Sequence, residues 1–211
     1  MAESTLIPLF PLALVVVPGQ PVPLHVFEER YKEMIADCEG EDGYDVFGIV
    51  LASAEQVALI GCSVAVTEKG RRYPDGSFDI VGRAERRFTT IETFKNRPYH
   101  TAVVEFFDDD GDGSLDPALK VAVEERYARL VELAKREKGI ISQEDANEEL
   151  ALESGASLSF AITSYLGMDT QKSQKILEMR SENERLQFLV SYFDELLPML
   201  ETRLEQRVRV K

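Results

Sequence analysis

The chain has 211 residues, 44% of them hydrophobic, and a net charge of −14. That apolar content supports a packed core and excludes wholesale disorder, and the length suits one large domain or two small ones. The acidic balance opposes binding to nucleic-acid backbones, where affinity comes mainly from Lys and Arg displacing counterions, and by the same logic opposes anionic membrane surfaces.

The chain opens with an apolar run punctuated by Pro8, Pro11, Pro18, Pro21 and Pro23. No Lys or Arg precedes Arg30, and the prolines interrupt any long apolar helix, so the segment reads as neither a secretory signal nor a membrane span. It predicts short buried strands over 5–10 and 14–17, a turn at Pro18-Gly19, and an extended sheet-edge segment over 21–27, where a missing N–H is tolerated. Glu28 opens a helix whose inward face is Tyr31, Met34, Ile35 and Cys38, at i, i+3, i+4 and i+7. Glu28 and Glu29 suit its positive end, and Gly40 and Gly43 bracket its exit.

Strand signals follow at 44–51 and 62–70. Pro74-Asp75-Gly76 turns a hairpin whose return contains Phe78, Ile80, Phe88 and Ile91, and 99–107 is a further strand. Many short strands around one helix suggest a small mixed barrel or curled sheet. The acidic stretch 108–116 then divides a β-rich part, 1–110, from a helical part, 111–211. Asp116 caps a helix with Pro117 first and Leu119, Val123, Tyr127, Leu130 and Ala134 inward, ended by Gly139. Ser142 caps a short acidic helix, 157–166 is a helix closed by Gly167, and Asp169 starts another with Ile176 and Leu177 inward. Ser181 and Glu184 form a capping box. The last helix buries Leu186, Leu189, Val190, Phe193, Leu197, Leu200 and Leu204, and Pro198 predicts a kink near Asp194.

Reactive chemistry is sparse. Asp108, Asp110, Asp112 and Asp116 resemble a calcium loop, but Leu119 stands where the closing Glu belongs, so a solvated acidic linker is the preferred reading. His25 and His100 are the only histidines and lack metal-ligand spacing. Cys38 and Cys62 read as two buried thiols in a reducing cytoplasm. No G-x-x-x-x-G-K-[ST] loop and no G-x-S-x-G elbow occurs. The basic clusters 69–72 and 83–87 are expected to pair with the acidic body. No cofactor, metal or catalytic residue is expected.

One pattern is specific: Pro8-Leu9-Phe10-Pro11-Leu12, Val17-Pro18-Gly19, then Pro23-Leu24-His25-Val26-Phe27-Glu28-Glu29-Arg30-Tyr31, with Gly61-Cys62, Asp75-Gly76, Gly82-Arg83, Arg86-Arg87-Phe88 and Pro98-Tyr99 in order. It resembles the N-terminal substrate-recognition domain of the Lon protease family. The resemblance implies an α+β fold, a PUA-like mixed β-barrel followed by a C-terminal α-helical bundle. It also implies a free-standing, non-enzymatic bacterial domain of protein quality control, without ATPase or peptidase modules. Its partners would be unfolded or tagged protein segments and a full-length protease. Pro11, Pro18, Gly19, Glu28, Arg30, Tyr31, Gly82 and Phe88 are assigned structural roles, with Phe27 and Tyr31 packing and Glu28 and Arg30 tying the helix start to neighbouring strands. Pro21, Pro23, Leu24, His25 and Phe27 are the candidate peptide-binding residues, holding an extended segment by main-chain hydrogen bonds and shallow apolar pockets. The alternative is a PUA-like RNA-binding module, which needs a continuous basic face. An unrecognised hydrolase would need paired titratable groups in a pocket.

Overall fold

Six strands and five helices run through the residues that the computed structural model describes, 4–38, 44–54, 56–111, 113–137 and 157–209. In chain order they are β1 (Ser4–Leu12), β2 (Pro21–Val26), α1 (Glu29–Asp37), β3 (Phe47–Ala52), β4 (Val57–Arg72), β5 (Phe78–Phe94), β6 (His100–Phe107), α2 (Pro117–Glu137), α3 (Leu158–Tyr165), α4 (Thr170–Glu178) and α5 (Glu182–Arg209). The α+β class follows directly. Chain contacts divide these elements into two units, Met1–Asp108 with Gly167–Glu178, and Asp109–Leu166 with Met179–Lys211.

The first unit is built on a six-stranded sheet in the order β2-β5-β4-β3-β1-β6. β5 also pairs with β6, so the ladder through β5, β4, β3, β1 and β6 returns to its start. The β1–β3 pair is parallel and the others are antiparallel. Alternation along the strands sends Ile7, Leu9, Val50, Phe88, Ala102 and Val104 into one apolar cluster. α1 buries Tyr31, Met34 and Ile35, and the Tyr31 ring stacks on Phe10 with centroids 3.9 Å apart. α4 also belongs to this unit: Gln174 Nε2 donates to the Ile60 carbonyl at 3.1 Å, and the buried Arg87 donates to the Leu177 carbonyl at 3.3 Å. Asp169 caps α4 by accepting from the Lys172 amide at 2.9 Å.

Local expectations meet three corrections here. Residues 14–17 are not a strand. Val16 and Val17 are buried as a β-branched run should be, but the Val17 amide donates to Gln20 Oε1 at 3.1 Å and its carbonyl accepts from the Gln20 amide, so the backbone closes a turn. Cys38 is only half-buried, because it is the C-cap where α1 ends. β4 and β5 are far longer than the spacing suggested, 16 and 17 residues, because bulges bend their shared ladder instead of ending it. Cys62 is fully buried, and that burial pushes its thiol up to about 12, which disfavours the thiolate. Gly40 and Gly43 lie outside the described residues.

The second unit is helical. Asp116 Oδ1 accepts from the Ala118 amide at 2.8 Å, capping α2 with Pro117 at its first position. α2 buries Val123, Leu130, Leu133 and Ala134, while Leu119 and Tyr127 are half-buried. Ser157 caps α3. α5 buries Leu186, Leu189 and Phe193, leaves Val190, Leu197, Leu200 and Leu204 half-buried, and continues as one helix through Pro198. Ion pairs from Arg126 to Asp194 and from Arg129 to Glu201 join α2 to α5. Gly139 and the Ser142 helix lie outside the described residues.

The acidic stretch is spent on arginines. Asp108 faces Arg86 at 3.5 Å, Asp110 faces Arg180 at 3.7 Å, and Asp109 grips the buried Arg185 with both oxygens. Asp109 is therefore part of the helical unit's polar core, not a solvated linker residue. Asp112 lies outside the described residues.

Candidate functional site

β2 lies at the end of the sheet order, and among the described residues it pairs with β5 alone. Val22 and Val26 are buried, Leu24 is half-buried, and Pro21, Pro23 and His25 are exposed. Period-two geometry thus divides the candidates: Pro21, Pro23 and His25 form an outer row, while Leu24 shares the inner face. Phe27, one residue past the strand, is 63% exposed, so it does not pack into the core as expected. Its ring stacks beside His25 at 6.1 Å.

The backbone at this edge is selective. The Ala84 amide donates to the Gln20 carbonyl at 2.9 Å, and Val22, Leu24 and Val26 stand opposite Gly82, Ile80 and Phe78. Bonded positions alternate in an antiparallel pair, so the even residues of β2 turn their backbone groups to β5 and the odd ones turn theirs to the free edge. Pro21 and Pro23 are odd and have no N–H. Over positions 21, 23 and 25 the free edge offers three carbonyls and one donor, the His25 amide. A partner strand finds acceptors but few donors, the usual way of guarding an edge. This narrows the expected main-chain grip to a minor part. The double variant Pro21→Val/Pro23→Val, which restores two donors, is expected to show increased concentration-dependent association in light scattering. Unchanged scattering by a folded variant would refute the guarding role.

A polar relay backs the outer row. His25 Nδ1 lies 2.7 Å from Asp79 Oδ1, and the Tyr73 hydroxyl donates to Asp79 Oδ2 at 2.8 Å. These bonds, that of His25 first, hold the Asp79 carboxyl below its ordinary range, and Asp79 in turn raises the Tyr73 phenol. The Tyr73 ring meets His25 edge-on at 5.3 Å, and the Arg71 guanidinium carbon lies 5.0 Å from the Tyr73 ring centroid. Asp79 also borders a cavity of about 200 Å³ lined by Lys32, Lys69 and Arg72 together with Ile35, Phe78 and Ile80. Sequence reasoning named none of Tyr73, Asp79 or Lys32. Their only local signal was the Pro74-Asp75-Gly76 turn, which folds Tyr73 and Asp79 onto one hairpin; Gly76, at φ +80°, supplies the left-handed residue.

Pro11 is half-buried in β1, opposite Val50. Pro18 and Gly19 form the turn before β2, with Gly19 at φ +87° donating to the Ala84 carbonyl at 2.8 Å. Glu28 is the N-cap of α1, but its carboxylate takes Arg30 at 2.7 Å. That pair is exposed, and Arg30 covers the Tyr31 ring at 4.6 Å, so the two residues brace the helix start rather than reach the strands. Gly82 faces Val22, and a Cβ there would come 2.4 Å from Val64 Cγ1. Phe88 is fully buried in the apolar cluster.

Arginines of the basic clusters lie against aromatic rings. Arg72 lies over Phe78, Arg86 over Phe106 and Arg87 over Phe107. Among the described residues no helix is long and apolar enough to cross a membrane.

Residues 6–195 match the family model described as the ATP-dependent protease La (LON) substrate-binding domain. Lon protease 2 of Herpetosiphon aurantiacus is 26% identical over 140 residues, 65% of this chain and 17% of that protein. Lon protease of Heliobacterium modesticaldum is 25% identical over 217 residues, 97% of this chain and 26% of that protein. The chain therefore spans about a quarter or less of these relatives' length. Among solved structures, the fold is similar to a Lon N-terminal domain protein from Xanthomonas campestris, with a TM-score of 0.67 at 23% identity over 89% of this chain and 98% of that one. It is also similar to the N-terminal domain of Mycobacterium avium complex Lon protease, with a TM-score of 0.64 at 19% identity over 90% and 98%.

Proposed function

The chain belongs to the LON substrate-binding domain family, and from that premise we propose that it is a non-catalytic recognition domain for exposed apolar segments of unfolded or tagged proteins. The observation that carries this reading is the outer row of β2 ending in Phe27. A large aromatic ring left 63% exposed, beside the His25 ring, is a ready apolar contact. With one donor on the edge, affinity comes from side chains, each well-buried one contributing about 1.5–3 kcal/mol before ordering costs. In this reading the closed ladder is a PUA-like β-barrel over 1–110, and 111–211 is a helical bundle that completes the domain. In this reading such a domain works in the cytoplasm and hands its clients to a Lon-type protease. The RNA-binding alternative has less support, because a net charge of −14 opposes association with a phosphate backbone.

Fluorescence anisotropy with a labelled unfolded protein and with apolar peptides tests the proposal. Binding in the micromolar range is expected, and Phe27→Asp is expected to weaken it about tenfold without changing thermal unfolding. Absence of binding at high micromolar concentration would overturn the reading.

A further inference from the structure

We propose that the cavity beside α1 receives the C-terminal carboxylate of a client chain whose last side chain is small and apolar, an inference that rests on the peptide-binding reading above. In a chain of net charge −14, three cations, Lys32, Lys69 and Arg72, surround one hollow of about 200 Å³ whose other walls include Ile35, Phe78 and Ile80. Cations beside apolar side chains match a carboxylate carried next to an apolar group.

The details favour exchange with an incoming anion. The Lys32 side chain is only 17% exposed, while its partner Glu29 is 89% exposed, so at their 2.8 Å pair water competes for the carboxylate and the lysine is open to exchange. The Arg72 guanidinium is held 5.2 Å from the Phe78 ring centroid, which limits its freedom before any ligand arrives. Asp79 is the acidic residue of the lining, and its two oxygens already accept from His25 and Tyr73. Glycines keep the space clear: a Cβ on Gly76 would stand 3.4 Å from Lys32 Nζ, and one on Gly70 would stand 3.0 Å from Asp79 Cβ.

Asp79 joins this cavity to the outer row of β2, because it borders the one and bonds His25 of the other. A client end therefore reaches the cavity while the residues before it lie along 21–27. A compact oxyanion such as phosphate shares the charge but leaves the apolar walls without a partner.

The test compares one apolar peptide as free acid, as C-terminal amide, and as an amide carrying an internal Asp, by anisotropy, with inorganic phosphate as competitor. The free acid is expected to bind about tenfold tighter than either amide, as charge-assisted bonds allow. That advantage is expected to shrink with added salt and to disappear in Lys32→Gln/Lys69→Gln. Equal binding of acid and amide by the unaltered protein overturns this inference and leaves the peptide-binding reading standing. An equal gain from the internal Asp, or phosphate binding tighter than the acid, also overturns it. Failure of all three peptides to bind overturns both. The acid-to-amide comparison needs no variant, so it decides the matter even if the double variant does not fold.

Discussion

Arg185→Ala is expected to destabilise the helical unit by about 3–5 kcal/mol, the range for breaking a buried ion pair by removing one partner. The Arg185 side chain is fully buried, yet every N–H finds an acceptor. Nε donates to Ser159 Oγ at 2.8 Å, and Nη1 donates to Asp109 at 2.7 Å and to the Met179 carbonyl at 3.0 Å. Nη2 donates to Asp109 at 2.5 Å and to Glu182 at 2.7 Å. The Phe160 ring lies 4.3 Å from the guanidinium carbon. Without the guanidinium, two mostly buried carboxylates lose their counter-charge, whereas Arg185→Met with Asp109→Asn and Glu182→Gln removes charge on both sides and should recover part of the loss.

Urea unfolding followed by circular dichroism at 222 nm measures both effects. A loss below about 1 kcal/mol for Arg185→Ala would show that the network is dispensable. The same network predicts acid sensitivity. Burial pushes the Glu182 carboxyl up, but bonds from Ser157, Ser159 and Arg185 outweigh it and hold the group below its ordinary 4.5. Its contribution is therefore fully present above that ordinary value and is lost as pH falls through the lowered folded one. The triple variant should lose less stability than the unaltered protein across that acid range.

Phe88→Ala is expected to cost the β unit about 3–5 kcal/mol, as deletion of a fully buried ring does. The ring fills the space over two glycines: a Cβ on Gly48 would come 2.6 Å from Phe88 Cζ, and one on Gly61 would come 2.7 Å from it. The two glycines then differ in a measurable way. The atoms nearest a Cβ on Gly48 belong to side chains, those of Phe88 and Ile7, while a Cβ on Gly61 would meet the Ile49 carbonyl oxygen at 2.4 Å. Gly48→Ala should accordingly be harmful alone and much less so beside Phe88→Leu, a coupling readable in a double-mutant cycle. Gly61→Ala should stay harmful in both backgrounds, because a backbone oxygen within a ladder moves little. Additive behaviour at Gly48 would mean that the ring does not occupy that space.

Much of this architecture was legible residue by residue. Prolines in an apolar run marked the extended segments of β1 and the edge strand β2, and the i, i+3, i+4 spacing marked the buried face of α1 at Tyr31, Met34 and Ile35. Asp116, Ser157 and Asp169 showed the starts of α2, α3 and α4, because a cap acts within three residues of itself. The misreading at 14–17 arose where burial and β-branching mimicked a strand while Gln20 supplied the bonds of a turn. Of the candidate binding residues, His25 and Phe27 were legible as apolar-edge residues. Their relation to Tyr73 and Asp79 was not, since His25 and Asp79 are 54 positions apart.

From its own letters the chain determines which face of each element turns inward, where most elements start and turn, and which family pattern it carries, because those depend on neighbours a few residues away. Only the tertiary structure decided that Asp109 would neutralise Arg185 across 76 positions and that α4 would bond to β4 through Gln174 and Ile60 across 114. It also decided that the prolines of β2 would fall on the free side of the ladder. Periodicity records how much of a side chain is buried but not against what, and the register between distant strands is set by the packing of the whole sheet.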